Sequence, residues 1–294
     1  EGCSKYCSFC VVPYTRGDEV SRNPEQIFDE VARLIEQGVS EITFVGQNVN
    51  SYRYSFKGRM LSLSDLIEVC GAIEGVDRIR YTTSHPLDMT DDLIDVYSHV
   101  PQLVSHLHLP VQSGSNEILT KMKRNYSRED YLQIISKLRR ARSNIKISSD
   151  FIVGFPNETN KDFQQTMDLI EKVQFDASFS FIYSPRPGTP ASQLEDKTPP
   201  TKKKERLQIL QDRIDYFQRR YSKELVGTIQ RCLVTGVSKK DSKQLQARTE
   251  CNRVVNFDFQ NINILGKLVD INIMEAYSHS LAGKIFNPKE RYSA

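Results

Sequence analysis

Three cysteines stand at C-x3-C-x2-C spacing at the start of the chain, Cys3, Cys7 and Cys10, with Phe9 before the last thiol. Thiolates are soft ligands that take zinc or iron–sulfur clusters. Structural zinc closes its shell with four ligands, and the nearest histidine along the chain is His85, so no neighbour completes a local zinc finger. A cubane held by three thiolates leaves one iron open for a substrate or cofactor, which suits this spacing better. Three thiols holding zinc, or nothing, is the alternative. The remaining cysteines, Cys70, Cys232 and Cys251, stand alone in apolar or strand-like stretches and read as ordinary buried thiols, not as a secreted disulfide framework.

The elements that must carry this loop follow in order. Asn23 with Pro24 starts a helix whose apolar face is Ile27, Val31, Leu34 and Ile35. Residues 41–46 read as a strand, followed by Gln47-Asn-Val-Asn50 and a polar loop with Arg53, Lys57 and Arg59. Ser62 with Asp65, Ser127 with Asp130 and Thr159 with Asp162 are capping boxes that open three further helices, and Thr90 caps another. Strands are expected over residues 78–83, 103–109, 145–153 and 177–183. Strand and helix alternate five times, which argues for a parallel sheet, open or partly closed into a barrel. The polar clusters 46–50, 84–86, 110–113, 154–156 and 184–188 all fall just after strands, and in a barrel such loops converge on one mouth. His85 lies at that mouth by position, whereas His106 and His108, alternating on a strand, read as packing residues.

At 294 residues the chain has room for about two domains. Composition shifts at Pro199 and Pro200. Residues 201–223 form a helix with Leu207, Leu210, Ile214, Phe217 and Tyr221 at spacings of three and four. Beyond it the period changes to two, and five short stretches between residues 228 and 285 read as strands of a small antiparallel barrel. The overall charge of +3 conceals an asymmetry: residues 202–294 carry 18 Lys and Arg against 10 Asp and Glu, and the rest is acidic. A basic third on an acidic body suggests a polyanion gripped at one end and processed at the other. No apolar run reaches the length a bilayer requires and no signal core is visible, so a cytoplasmic protein is expected.

The cysteine loop resembles that of radical S-adenosylmethionine (SAM) enzymes. The flanking Val11-Val-Pro-Tyr-Thr-Arg-Gly17, Gly46-Gln-Asn-Val-Asn50, Thr83-Ser-His-Pro86, Leu109-Pro-Val-Gln-Ser-Gly114 and Ile152-Val-Gly-Phe-Pro156 narrow the resemblance to the tRNA methylthiotransferase family. It covers essentially the whole chain, and Leu245-Gln-Ala-Arg-Thr-Glu-Cys-Asn-Arg-Val-Val-Asn-Phe257 with Ser280-Leu-Ala-Gly283 is similar to a TRAM domain, an RNA-binding module. The fold so implied is a partial (β/α) radical SAM barrel over residues 1–200, a linking amphipathic helix over 201–223, a small all-β TRAM-type barrel over 224–287 and a tail over 288–294.

The resemblance further implies that Cys3, Cys7 and Cys10 bind three irons of a [4Fe-4S] cluster and that SAM occupies the fourth. Phe9 is then expected near the SAM adenine, Gly46, Gln47, Asn48 and Asn50 near its methionine end, Gln112 and Ser113 near its ribose or tail, and Arg124 against its carboxylate. The implied reaction adds a methylthio group to C2 of N6-dimethylallyladenosine in the anticodon loop of tRNA. Sister enzymes act on threonylcarbamoyladenosine tRNA or on a ribosomal protein, and a non-catalytic RNA-binding module is the reading from a different class. Lys239, Lys240, Lys243, Arg248 and Arg253 are the expected phosphate contacts, and an electron-donor protein and a monomeric state are also expected. The family carries a second cluster on an N-terminal domain, which this chain lacks together with the strand expected before Cys3. A fragment incomplete for sulfur insertion is therefore expected.

Overall fold

The computed structural model describes residues 1–239, 241–258 and 262–287. Lys240 and the expected tail over residues 288–294 lie outside the described residues. The first module contains, in order, α1 (Val12–Arg16), α2 (Pro24–Glu36), β1 (Glu41–Phe44), β2 (Arg53–Phe56), β3 (Arg59–Ser62), α3 (Leu63–Gly71), β4 (Arg78–Tyr81), α4 (Asp91–His99), β5 (His106–His108), α5 (Asn116–Lys121), α6 (Arg128–Ala141), β6 (Lys146–Val153), α7 (Asn160–Val173) and β7 (Ala177–Ile182). Asn23 accepts from the Glu25 N–H and all three capping boxes form, whereas Thr90 stands at the N-cap of α4 without a side-chain cap hydrogen bond.

β1 pairs in parallel with β4, β5 with β6 and β6 with β7, while a parallel bridge from Ile79 to Leu103 joins the two groups. The spatial order therefore follows the chain order, as in a (β/α) barrel, with no reversal of the kind that defines an open doubly wound sheet. Helices cover its outer face, and Leu63, Ile67, Leu93, Tyr97, Tyr131 and Leu169 are among the residues of one continuous core. Beside β1, a groove of about 380 Å³ is lined by α2 side chains such as Ile27, Val31 and Leu34 and by residues of the β1 strand.

Two sequence expectations change. The polar loop expected after residue 50 contains a hairpin, in which Arg53 to Phe56 pair with Ser62 to Arg59. Lys57 and Gly58 at its tip both have positive φ, 50° and 80°, the conformation of a two-residue turn matched to strand twist. The strand expected over residues 103–109 shrinks to His106–His108, preceded by the single bridge at Leu103.

Helix α8 (Pro200–Glu224) lays Leu210, Ile214 and Phe217 into the first module's core, with Leu207 and Tyr221 packed at its margin. Its Arg206 is not on the solvated face: the guanidinium is buried and donates to Glu158 at 2.7 Å. β8 (Ile229–Val237), β9 (Gln244–Arg248), β10 (Val254–Asp258), β11 (Leu268–Ala276) and β12 (Leu281–Ile285) then close a five-stranded barrel in the order β10-β12-β11-β8-β9, around Val234, Leu245, Val255, Phe257 and Ile271.

This second barrel docks on the edge of the first at which the parallel strands begin. Arg78, 3% exposed, donates to the Arg231 carbonyl at 2.8 Å, and Arg80 donates to the Glu250 carbonyl at 2.9 Å. Arg231 meets Asp77 at 3.1 Å, and Arg253 meets Asp176 through both terminal nitrogens at 2.8 Å each.

Candidate active site at the barrel mouth

The cysteine loop lies over the opposite edge, where the parallel strands end. It is fixed by main-chain contacts on both sides: the Ser8 N–H donates to Met122 O at 3.0 Å, the Ala191 N–H donates to Ser8 O at 2.8 Å, and Cys3 N–H donates to Gly17 O at 3.1 Å. Gly2 is needed for this path, since its φ is +75° and a Cβ there would meet Asp18 O at 1.9 Å. Phe9 packs against the small cluster of Ile118, Met122, Phe155, Tyr183 and Ala191 beneath the loop.

Cys7 is buried, and Cys3 and Cys10 are partly exposed. Burial pushes the Cys3 and Cys10 thiols above their ordinary range, and Glu19, followed by the neighbouring thiols, raises Cys3 further. Among the described residues no group of three or more His, Cys, Asp or Glu side chains is arranged to hold one metal ion. Three free thiols on one loop are the soft donor set that an iron–sulfur cluster takes.

The sequence-predicted partners gather here, mostly as supports of the loop. The Gln47 side-chain oxygen accepts from the Gly2 N–H at 2.8 Å. Asn48 donates to Glu19 at 3.1 Å and to Asp88 at 2.7 Å, while Lys5 of the cysteine loop reaches the other Asp88 oxygen at 2.7 Å. Asn50 pairs with both backbone groups of His85, at 2.8 and 2.9 Å, as a second peptide would. Gly46 opens the turn that carries these amides, and a Cβ on it would press Val49 at 3.3 Å. Arg124 is buried and donates to Pro110 O at 2.7 Å, to Tyr126 Oη at 3.0 Å and toward Cys7 Sγ at 3.4 Å. Gln112 is held at φ +72° with its main chain paired to β6 through Asp150 O and the Ile152 N–H.

Two predicted site residues face elsewhere. Ser113 is 1% exposed, accepts from the Ser115 N–H at 3.2 Å and neighbours Thr166, so its hydroxyl serves the junction with α7. Arg253 is withdrawn from the phosphate-facing set by its pairing with Asp176, which leaves its side chain 9% exposed. Arg248 donates to Asn252 O and Oδ1, and Lys239 and Lys243 are exposed. His106 and His108 pack as expected with their rings satisfied: each contacts the Ser148 hydroxyl, at 3.2 and 3.0 Å, inside the first barrel.

Sequence reasoning passed over Lys5, Asp88 and Tyr126. The signal for Lys5 was its place inside the cysteine spacing; Asp88 and Tyr126 carry none without the fold. Asn48 Oδ1, Ser84 Oγ and His85 Nε2 are buried polar atoms without a protein partner in the same strand-end loops.

Burial, reinforced by nearby arginines, pulls His106 down to about 3; burial, Arg124 and Lys5 pull His85 down to about 2. Both therefore stay neutral in the fold, while the unfolded chain takes up a proton on each near pH 6.5. Their contribution is complete above that pH and is lost as pH falls, by up to about 1.4 kcal/mol per histidine per pH unit. The urea midpoint is expected to drop between pH 6.5 and 5, and His106→Gln is expected to flatten that slope.

Residues 1–170 match the Radical SAM superfamily and residues 223–286 match the TRAM domain. The chain is 56% identical over 292 residues to a tRNA-2-methylthio-N(6)-dimethylallyladenosine synthase of Haemophilus ducreyi, covering 99% of this chain and 61% of that protein. It is 57% identical over 286 residues to the protein of the same name from Pseudomonas savastanoi pv. phaseolicola, covering 97% and 65%. It thus spans about three fifths of the length of these curated relatives. Among solved structures, the radical SAM enzyme coproporphyrinogen III oxidase (HemN) from Escherichia coli superimposes with a TM-score of 0.54 at 17% identity, over 84% of this chain and 64% of that one. With three thiols on a pinned loop at the mouth of a parallel barrel, and with that match across its first 170 residues, the chain belongs to the radical SAM superfamily.

Proposed function

We propose that the chain is the radical SAM core and RNA-gripping module of an enzyme that adds a methylthio group to C2 of N6-dimethylallyladenosine, next to the anticodon of tRNA. The observation that carries this reading is the placement of three thiols at one end of a parallel barrel whose other end is closed by a TRAM domain. When bound, a [4Fe-4S] cluster on Cys3, Cys7 and Cys10, with SAM on its open iron, supplies radical chemistry for an unactivated C–H bond, beyond the reach of a side-chain base at neutral pH.

The chain's own residues hold, orient and shield. Arg124, buried and fixed by the Pro110 carbonyl, approaches the Cys7 sulfur at 3.4 Å and holds that thiol in place. Lys5, Asp88 and Asn48 tie the loop to the mouth, and the unpartnered atoms of Asn48, Ser84 and His85 offer polar positions to the amine and carboxylate of SAM. Gly46 and Gln112 shape that pocket through the main chain, the Gln47 and Asn50 side chains fix the backbone of Gly2 and His85 around it, and Phe9 keeps water from its floor. Lys239, Lys243 and Arg248 would meet phosphates. Sulfur insertion requires further protein beyond these two modules, including a second cluster, and the reduced state requires an electron-donor protein. Among the described residues no helix is long and apolar enough to cross a membrane.

Mass spectrometry of tRNA nucleosides tests the assignment. Cells lacking the gene are expected to lose 2-methylthio-N6-dimethylallyladenosine and accumulate N6-dimethylallyladenosine; unchanged 2-methylthio nucleosides overturn it.

A further inference from the structure

Residues 53–60, Arg-Tyr-Ser-Phe-Lys-Gly-Arg-Met, carry three cations and no acid, within a first module that is acidic as a whole. They make up most of the hairpin of β2 and β3. Across its ladder Phe56 stands opposite Arg59 and Ser55 opposite Met60, with Lys57 and Gly58 at the tip. Lys57 Nζ lies 4.6 Å from the centre of the Phe56 ring, and Met60 is 59% exposed. A two-stranded hairpin is marginal by itself in water, so its root must be held. Tyr52 packs at the margin of the core and donates to Arg22 O at 2.7 Å, while the Arg53 N–H donates to Ser21 Oγ at 3.2 Å. Ser21 and Arg22 directly follow Val20, whose N–H meets Glu1 O at 2.8 Å and closes the segment that carries the cysteines. The hairpin is therefore fixed at the barrel mouth.

Its cations are weakly engaged by the protein. Lys57 meets Glu25 at 3.5 Å with both side chains exposed, a solvent-screened pair of little strength. Arg59 is 74% exposed and reaches Asp65, whose other oxygen already accepts from the Ser62 N–H and hydroxyl. Arg53 is exposed and bends onto the Tyr52 carbonyl. The acids of this region, Asp65, Glu68, Asp92 and Asp95, line a surface hollow with Arg53 and Arg59 at the hairpin's root, which leaves the tip positive. Such a tip complements a polyanion, which displaces exposed carboxylates at small cost.

The TRAM domain docks at the other end of the same barrel. Strand β6 has eight residues between the two ends, roughly 25 Å at the rise of a strand. A ligand held at both ends is therefore long and charged along its length, as an RNA stem-loop is. The A-form major groove is too narrow to be read by side chains, so the contact is with backbone phosphates.

We infer that the β2–β3 hairpin is a second RNA-gripping site, where Arg53, Lys57 and Arg59 take phosphates of the anticodon stem-loop that the TRAM domain holds at the opposite end. The inference rests on the proposed function and adds to it a sequence-independent clamp at the mouth.

The test measures binding of the full-length protein to an anticodon stem-loop carrying N6-dimethylallyladenosine, between about 0.1 and 1 M salt. Each phosphate contact adds about 0.7–0.9 to the slope of log affinity against log salt. Lys57→Gln and Arg59→Gln, which keep the aliphatic stems, are each expected to lower the slope by about that amount, a loss of about five- to eightfold at 0.1 M that vanishes toward 1 M. Lys57→Arg is expected to keep the wild-type slope. Phosphates carry no base identity, so the ratio of affinities for dimethylallyladenosine and adenosine stem-loops is expected to stay the same in every variant. An unchanged slope in the Lys57→Gln, Arg59→Gln double variant overturns the second site, and a hairpin that serves an acidic protein partner instead would give that result. A shifted base ratio at unchanged slope overturns it as well. Failure of the proposed function is a separate result, read from unchanged 2-methylthio nucleosides in cells lacking the gene, whatever the slopes. The substituted head groups lie at the surface, and circular dichroism checks that the fold is intact.

Discussion

Cys7→Ser is expected to remove the iron–sulfur absorption of the anaerobically reconstituted protein and reduce SAM cleavage to the level of the unreconstituted chain. Serine keeps the size of the side chain but not the soft thiolate that iron requires. Cys7 is also the thiol most committed to the site: it is 8% exposed, and Arg124 Nη1 approaches its sulfur at 3.4 Å. Removing it takes one of the three proposed ligands and leaves the buried Arg124 guanidinium without its sulfur neighbour. Cys70→Ser and Cys232→Ser are the controls, because those thiols lie in separate apolar cores and burial pushes both up to about 12, the behaviour of inert packing groups. Both controls are expected to keep full iron content, and a Cys7→Ser protein that still shows a cluster spectrum responsive to SAM contradicts the ligand assignment. Stoichiometric zinc without iron in the wild type would favour the non-catalytic module.

Where the sequence carries its own physics, the fold was legible. Capping boxes at Ser62, Ser127 and Thr159 act within three residues, and the apolar stripe of α8 repeats at helical spacing, so each reads without knowledge of the tertiary structure. The change of period beyond residue 224 likewise announced a separate β barrel. The cysteine loop was legible for the same reason, since its three thiols lie within eight residues. What stayed hidden depends on contacts distant along the chain. Arg78 and Arg80 occupy a strand that reads as buried, which makes sense only once the second barrel supplies carbonyl acceptors for them. His108, Asp150 and Phe179 come from different strands and converge only through ladder register. A one-residue slip would turn them out of the barrel.

Arg253 shows how a charge count misleads, and its replacement carries the second large expected effect. Composition places Arg253 among the cations of a basic domain, a candidate phosphate contact. In the structure it bonds Asp176 through both nitrogens, also donates to Ser222 and Gln218, and spans the joint between the two barrels. Its side chain is 9% and that of Asp176 3% exposed, so removing either partner leaves an uncompensated buried charge, at a cost of about 3–5 kcal/mol. Arg253→Ala and Asp176→Ala are both expected to lower the unfolding free energy by that amount, read as a fall in the urea midpoint, and to split a single unfolding transition into two, one for each barrel. Arg253→Met combined with Asp176→Leu is expected to recover most of the loss, since an apolar pair of similar volume needs no compensation. RNA binding separates the two roles. If Arg253 held a phosphate, its removal would reduce the salt dependence of binding by about one unit of slope, and removal of Asp176 would not. As an interdomain clamp, the two single variants are expected to share one phenotype: weaker RNA binding through misplacement of the TRAM domain, with an unchanged salt slope.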